Sequence, residues 1–499
     1  TDFFALLAGP ESGSGDSLLY IAQVVAAILG VALTVVAIVV QLAANRYTPK
    51  IIDLFVRDKV NVPTLALFVV TVLEGMWVGH VRHGEFNPRI GVLVTLGLST
   101  CSMLVLLPYF RHVFRFLEPA NVVHSIRDEI VGEIEAAARY ATEEQCARGQ
   151  ARVLNSLDHL FDIARNSIHT SDRSLATEII FVFRDVVARA FALKGTLAPS
   201  WFKIFAGTTT NADFLNFPEP AIHRFEDERS WLERKIFWQF NLLFQAGLTN
   251  MRGVCSTIAM VTREMGEDAM RRGEPLESRL CVRALNTYIR TGLRGQDVRT
   301  LFNTLQQYRL FAEAAVAAGE HEVVRDVFER FRYYGRTAEQ LGIGFILETI
   351  AHDLGVLLKA ELVKKAPEAQ IDALLEVILS LVQDAEGAPL KPATRLGVRR
   401  SHCVLATHVL ARGREDLARR MAGELRGEPL PRLTAIRDEM LSAEAEFFEL
   451  TERVSSFGYV PAEERPYAIQ FFEWLGVRRP PEVGEATERS ARAPQIGAA

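Results

Sequence analysis

SLLYIAQVVAAILGVALTVVAIVVQLAAN, residues 17–45, holds no Asp, Glu, Lys or Arg. A helix crosses a hydrocarbon core of roughly 30 Å with about 20 apolar residues. A soluble core helix rarely runs so far without a charge. Two further stretches follow: residues 62–81, broken only by Glu74, and residues 90–110, with no charge. The reading is an all-α protein. A three-helix transmembrane region, with spans at about 17–43, 62–81 and 90–110, precedes a large cytoplasmic α-helical domain.

Basic residues set the orientation, because they concentrate on the cytoplasmic side of spans. Arg46, Lys50, Arg57 and Lys59 lie between spans one and two. Arg111, Arg115 and Arg127 follow span three, and the first 16 residues hold no Lys or Arg. The N-terminus is therefore expected outside, as a short extracytoplasmic leader (1–16), with the bulk of the chain inside. The leader carries Asp2, Glu11 and Asp16 and lacks the basic start of a signal peptide. A multi-pass protein of a bacterial inner membrane fits this pattern.

The first inner segment looks structured. Thr48 can cap a helix and Pro49 suits its first position. Ile51, Ile52, Phe55 and Val56 then share one face. An amphipathic interfacial helix is expected at 49–59.

Small residues let membrane helices approach closely. Span one offers Ala22, Ala26, Gly30 and Thr34, span two Thr71, Gly75 and Gly79, and span three Gly91, Thr95 and Ser99. Packing within the chain is the ordinary explanation, and association of copies is the other. Glu74 is the sharpest residue, since a charge near a span's centre costs roughly 2.5–3.5 kcal/mol on insertion scales. It lines a pore or binds a proton, together with Thr95, Ser99 and Ser102, or it hydrogen-bonds to Thr95 or Ser99. His80 and His83 in the outer turn have no convincing third ligand, so no metal or cofactor is expected.

These residues resemble the bacterial predicted membrane proteins of domain-of-unknown-function family 2254. The likeness rests on Gln41-Leu42-Ala43, then Tyr47-Thr48-Pro49-Lys50, then Phe55-Val56-Arg57-Asp58-Lys59. It continues through Tyr109-Phe110-Arg111-His112-Val113-Phe114-Arg115 to Asn121-Val122-Val123, and more loosely from Asp162 to Ile180, covering roughly 35–180. Members commonly begin with a further span, whereas this chain opens on its acidic leader. The resemblance implies a membrane topology and no settled activity.

Beyond the spans the pattern is helical throughout. Val123, Ile126, Ile130 and Ile134 recur at helical spacing. Residues 113–205 form a membrane-proximal subdomain. In it, 151–195 reads as two helices joined by Asn166–Asp172, with Ser171 or Asp172 as a cap. A linker is expected at 206–230, where Gly207, Asn211, Pro218 and Pro220 cluster. A distal helical subdomain follows at 231–479, and a disordered tail at 480–499. The uncharged stretch 236–249 is too short to span and reads as a buried helix. Residues 280–478 read as antiparallel helix pairs without a constant period, hence a helix bundle or an irregular helical-hairpin solenoid. Such stacks usually bind partners or oligomerise.

The net charge of −5 over 499 residues argues against nucleic-acid binding. Five scattered cysteines form no CxxC pair, and no phosphate loop, dinucleotide fingerprint, HExxH or GxSxG motif appears. The chain is read as a non-enzyme with lipid around its spans. Two functions remain open: an oligomeric channel or transport-related protein, and a membrane-anchored scaffold or sensor that recruits a cytoplasmic protein partner.

Overall fold

The computed structural model describes residues 14–46, 50–81, 89–205, 214, 215, 217–383, 390–445 and 456–478. These residues form nineteen α-helices, one 3-10 turn and no strand. The chain divides into two compact units, residues 1–236 and 237–499. Most of the expected leader and the whole expected tail lie outside the described residues.

The first unit opens on α1 (Ser14–Arg46), the short α2 (Lys50–Val56), α3 (Asn61–Val81) and α4 (Arg89–Phe116). Within them Tyr20–Ala44, Asn61–Val81 and Ile90–Phe116 are long and apolar enough to cross a membrane. The first and third helices outrun their expected bounds because helix continues into polar sequence. In α4 it passes through Pro108, which removes one backbone donor from the helix. The interfacial helix is shorter than expected, at Lys50–Val56. The cap foreseen at Thr48 and Pro49 lies outside the described residues.

The three spans pack against one another. They come close at Gly75, where a Cβ would stand 2.7 Å from the Ala22 Cβ. No side chain larger than hydrogen fits there. On α1 the buried positions are Ala22, Val25, Ala32, Val36, Val40 and Ala44.

Helices α5 (Pro119–Ala137), α6 (Glu143–His169) and α7 (Arg173–Leu193) pack mutually. Val123, Ile126, Ile130 and Ile134 are completely buried. Each such side chain stabilises by about 1.5–3 kcal/mol. Thr142 and Gln145 form a reciprocal capping box at the start of α6, satisfying donors that a helix start leaves unpaired. The polar segment expected as a loop at Asn166–Asp172 is helical to His169. Asp172 Oδ1 then accepts from the Leu175 amide at 3.2 Å, so the expected cap is present. After the 3-10 turn Pro199–Phe202 come α8 (Glu219–Asp227) and α9 (Trp231–Asn250), which carries the division between the units.

The second unit is a two-layer stack of helical hairpins. One layer is α10 (Arg252–Arg272), α12 (Val298–Ala318), α14 (Gly344–Val363) and α16 (Pro392–Ala411). The other is α11 (Pro275–Arg294), α13 (His321–Gln340), α15 (Glu368–Ser380) and α17 (Glu415–Leu425). A repeat is present after all. The hairpin corners have positive φ at Gly273, Gly319, Lys365 and Gly413, spaced 46, 46 and 48 residues apart. Contacts recur with it. Arg263 Nε donates to Gln307 at 2.8 Å, and one repeat later Arg309 Nε lies 3.3 Å from Asp353. The period escaped the sequence reading because geometry, not residue identity, repeats. In the uncharged stretch of α9, Phe240, Leu243 and Phe244 are buried, and Phe244 stacks on Tyr288 with centroids 4.8 Å apart. Helices α18 (Leu430–Ser442) and α19 (Arg465–Trp474) pack against α16.

Candidate functional site

Two polar centres lie in the first unit, one among the spans and one at their domain-proximal end. Among the spans, Thr71 donates to the Leu67 carbonyl at 2.7 Å. Its single proton is thereby used, so Ser102 is the donor in the 2.9 Å bond that joins the two hydroxyls. Thr95 is fully buried and donates to Gly91 in its own helix at 2.9 Å. Ser99 Oγ is buried without a hydrogen-bond partner among the described residues.

Glu74 is half-buried. Among the described residues it has no hydrogen bond or ion pair, so the expected bond to Thr95 or Ser99 is not formed. The reason is angular. Gly75 faces Ala22 and Thr95, and a preceding residue is rotated by about 100° from it. The sites expected together are thus split. Thr95, Ser99 and Ser102 lie inside the three-helix packing, and Glu74 lies at its margin.

The small-residue positions divide as well. Ala22, Gly75 and Gly79 are buried, while Ala26 and Gly91 are partly covered. Gly30 is exposed with nothing within 4 Å of a Cβ built on it. The stripe drifts off the contact because four-residue spacing turns about 40° per step on a 3.6-residue helix.

At the domain-proximal end, Lys50 Nζ lies 2.5 Å from Glu129 Oε2 of α5 and 2.6 Å from Ser156 Oγ of α6. The Lys50 side chain is only 10% exposed. Around this pair stand Asp158, which pairs with Lys235, and His159 and Asp162. Burial, then the Lys50 charge, holds the His159 pKa below its ordinary value. Burial, then Asp158, raises that of Asp162. Asp58 organises the turn into α3. Its Oδ1 accepts from the amides of Val60 (2.9 Å) and Asn61 (3.2 Å) and bonds to His112 Nε2 of α4 at 2.9 Å. Asn61 Nδ2 donates to the Phe55 carbonyl at 2.6 Å. Arg57, Lys59 and Gln41 are exposed. Tyr47 and Pro49 lie outside the described residues.

Lys50, Asp58 and His112 thus join the spans to one another and to the helices beyond. Residues 7–165 match the family model of predicted membrane proteins, DUF2254. The matched region takes in all three spans, the Lys50 junction and nearly all of α6. Curated proteins offer no match. One solved structure, described as a "circular tandem repeat protein with novel repeat topology and enhanced subunit contact surfaces", aligns at 16% identity. It covers 83% of this chain and 90% of that one with a TM-score of 0.30, too low to establish a shared fold.

Glu129 and Ser156, the partners of Lys50, and Asp158, His159 and Lys235 around them are not marked by the Gln41–Lys59 motif. They lie at least 70 residues beyond it, and no local pattern marks them. Among the described residues no group of three or more His, Cys, Asp or Glu is placed to hold a metal ion.

Proposed function

We propose that the chain is a non-catalytic, multi-pass protein of a bacterial inner membrane. Copies associate through their spans into a channel or transport-related assembly, with the N-terminus outside and the helical units in the cytoplasm. Glu74 carries this reading. It sits about 10 Å from the outer end of α3 by helical rise, half-buried and without a partner among the described residues. A carboxylate at that depth requires a protonated state, water or a partner. The spans of one chain pack closely, with Ala22 against Gly75 and Ser102 against Thr71, and three helices so packed are too few to enclose a path alone. A path would have to form between copies, where Gly30 offers a close-approach surface.

Reconstitution into liposomes tests the proposal. Ion or proton flux that falls at least several-fold with Glu74→Gln, from a protein that migrates as an oligomer, is the expected result. A monomer with no flux under any imposed gradient overturns it.

The hairpin stack in the second unit favours one other reading, a membrane-anchored scaffold whose repeats recruit a protein. Stoichiometric capture of a partner by wild-type protein, abolished by substitutions in residues 280–478 and unaffected by Glu74→Gln, would favour it.

A further inference from the structure

We propose that the domain-proximal end of α4 is a binding site for anionic phospholipid, with Arg111 and Arg115 holding the headgroup. The two arginines are one helical turn apart and share a face. Both are exposed, and neither guanidinium has a hydrogen bond or ion pair among the described residues. Exposed arginines elsewhere in this unit divide. Arg139, Arg165 and Arg173 are likewise without a side-chain partner among the described residues, and Arg148, Arg152 and Arg189 are paired with Glu144, Glu133 and Glu135.

The same face is apolar toward the membrane. Leu104 is 71% exposed, Leu107 78% and Phe114 57%. At about 100° per residue these three and the arginines fall within an arc of roughly 100°. The strip is thus an acyl-chain surface that ends in two guanidinium groups. Phe110 and Phe114 stack with centroids 6.4 Å apart and line a shallow groove with Arg111, Arg115, Leu117 and Glu118. Glu118, the carboxylate at this groove, accepts from the Asn121 amide at 3.2 Å. Arg57 and Lys59 strengthen the positive field. They flank Asp58, whose bond to His112 brings them to the same end of α4. Neither has a partner among the described residues.

The occupant follows from position and charge. This face belongs to a membrane-spanning helix, so lipid covers it. Guanidinium groups match phosphate oxygens in bidentate geometry, and long basic side chains reach the headgroup layer while their stems stay on apolar surface.

The test is lipid retention by the full chain. Protein is extracted from bilayers of equal phosphatidylglycerol and phosphatidylcholine, and bound lipid is counted by native mass spectrometry. Wild type is expected to retain phosphatidylglycerol selectively. Arg111→Gln/Arg115→Gln should retain about five-fold less, and Arg148→Gln as much as wild type. Equal retention of both lipids overturns the site, as does unchanged retention in the double variant, an equal loss in Arg148→Gln, or displacement of the lipid by inorganic phosphate alone. If the double variant does not fold, thermal unfolding of wild type decides. Phosphatidylglycerol should raise the midpoint more than phosphatidylcholine does, and equal shifts overturn the proposal.

Discussion

Lys50 Nζ lies 2.5 Å from Glu129 Oε2, so the short helix between the first two spans is ion-paired to the first helix after the third. Lys50 is nearly buried while Glu129 is partly exposed. The pair therefore ranks between a surface bridge and a buried one. Lys50→Met also strands the buried Ser156 hydroxyl. We expect Lys50→Met to destabilise more than Glu129→Gln, and the two to couple by about 1 kcal/mol in a double-mutant cycle read by unfolding in detergent. Additive effects would mean that the contact does not hold the junction.

Gly75 and Gly30 give opposite predictions from the same residue type. A Cβ at Gly75 meets Ala22 at 2.7 Å, whereas one at Gly30 meets nothing. Gly75→Val should force α1 and α3 apart and cost about 1–3 kcal/mol, as overpacking does. Gly30→Val should leave the isolated chain's stability unchanged and weaken association between copies. Thermal unfolding and size determination in the same detergent separate the two effects. Equal destabilisation by both variants would contradict the packing described.

What the sequence disclosed and what it hid have a common physical basis. Periodic burial is a local property, so the three spans and the Val123-Ile126-Ile130-Ile134 face were legible. The partners of Lys50 were not, because contacts between residues 79 and 106 positions apart leave no local pattern. The 46-residue repeat was hidden differently. Its corners need a left-handed backbone, which glycine supplies at Gly273, Gly319 and Gly413. Lys365 supplies it at the third corner and breaks the glycine pattern. At the candidate site, Glu74 was conspicuous as a charge in an apolar run. Its separation from Thr95 and Ser99 depends on the rotation of α3, which packing at Gly75 sets.

Lys365 itself offers a stabilising change. Its φ is 55°, where a β-carbon costs roughly 1 kcal/mol and glycine costs none. The side chain is exposed. Lys365→Gly should raise stability by up to about 1 kcal/mol, less the extra chain entropy of glycine. A lower unfolding midpoint in the variant would show that Lys365 makes a compensating interaction.

Acid should destabilise the second unit through two histidines. Burial, then Arg399, pushes His402 down to about 3. Its Nε2 donates to the Ile378 carbonyl at 3.1 Å, which leaves Nδ1 toward Arg399. Burial, then Lys359, pushes His408 down to about 4. In the unfolded chain both take a proton near pH 6.5. The unfolded state therefore binds more protons between pH 6.5 and 4. Stability is full above that range and falls on acidification, by at most about 1.4 kcal/mol per pH unit per histidine. His402→Gln should flatten this slope in unfolding measured between pH 7 and 4. An unchanged slope would rule out His402 as a source.

Glu361 stands where the repeat elsewhere places a small apolar residue. Ala315 and Ala269, one and two repeats earlier, are completely buried, and so is Glu361. Neither of its carboxylate oxygens has a hydrogen-bond partner among the described residues, and His321 Nδ1 lies 3.6 Å away. Taking a carboxylate out of water is costly, and attraction to one partly exposed histidine offsets only part of that cost. Replacing a buried ion pair by apolar residues of similar volume is often neutral or stabilising, whereas removing one partner is not. We therefore expect Glu361→Met to be neutral or to stabilise by about 1–2 kcal/mol. His321→Ala should destabilise when Glu361 is present and cost little once Glu361→Met has been made. Equilibrium unfolding of the four proteins in the cycle measures this. If Glu361→Met destabilises by several kcal/mol, the carboxylate supports the stack in a way that its contact with His321 does not explain.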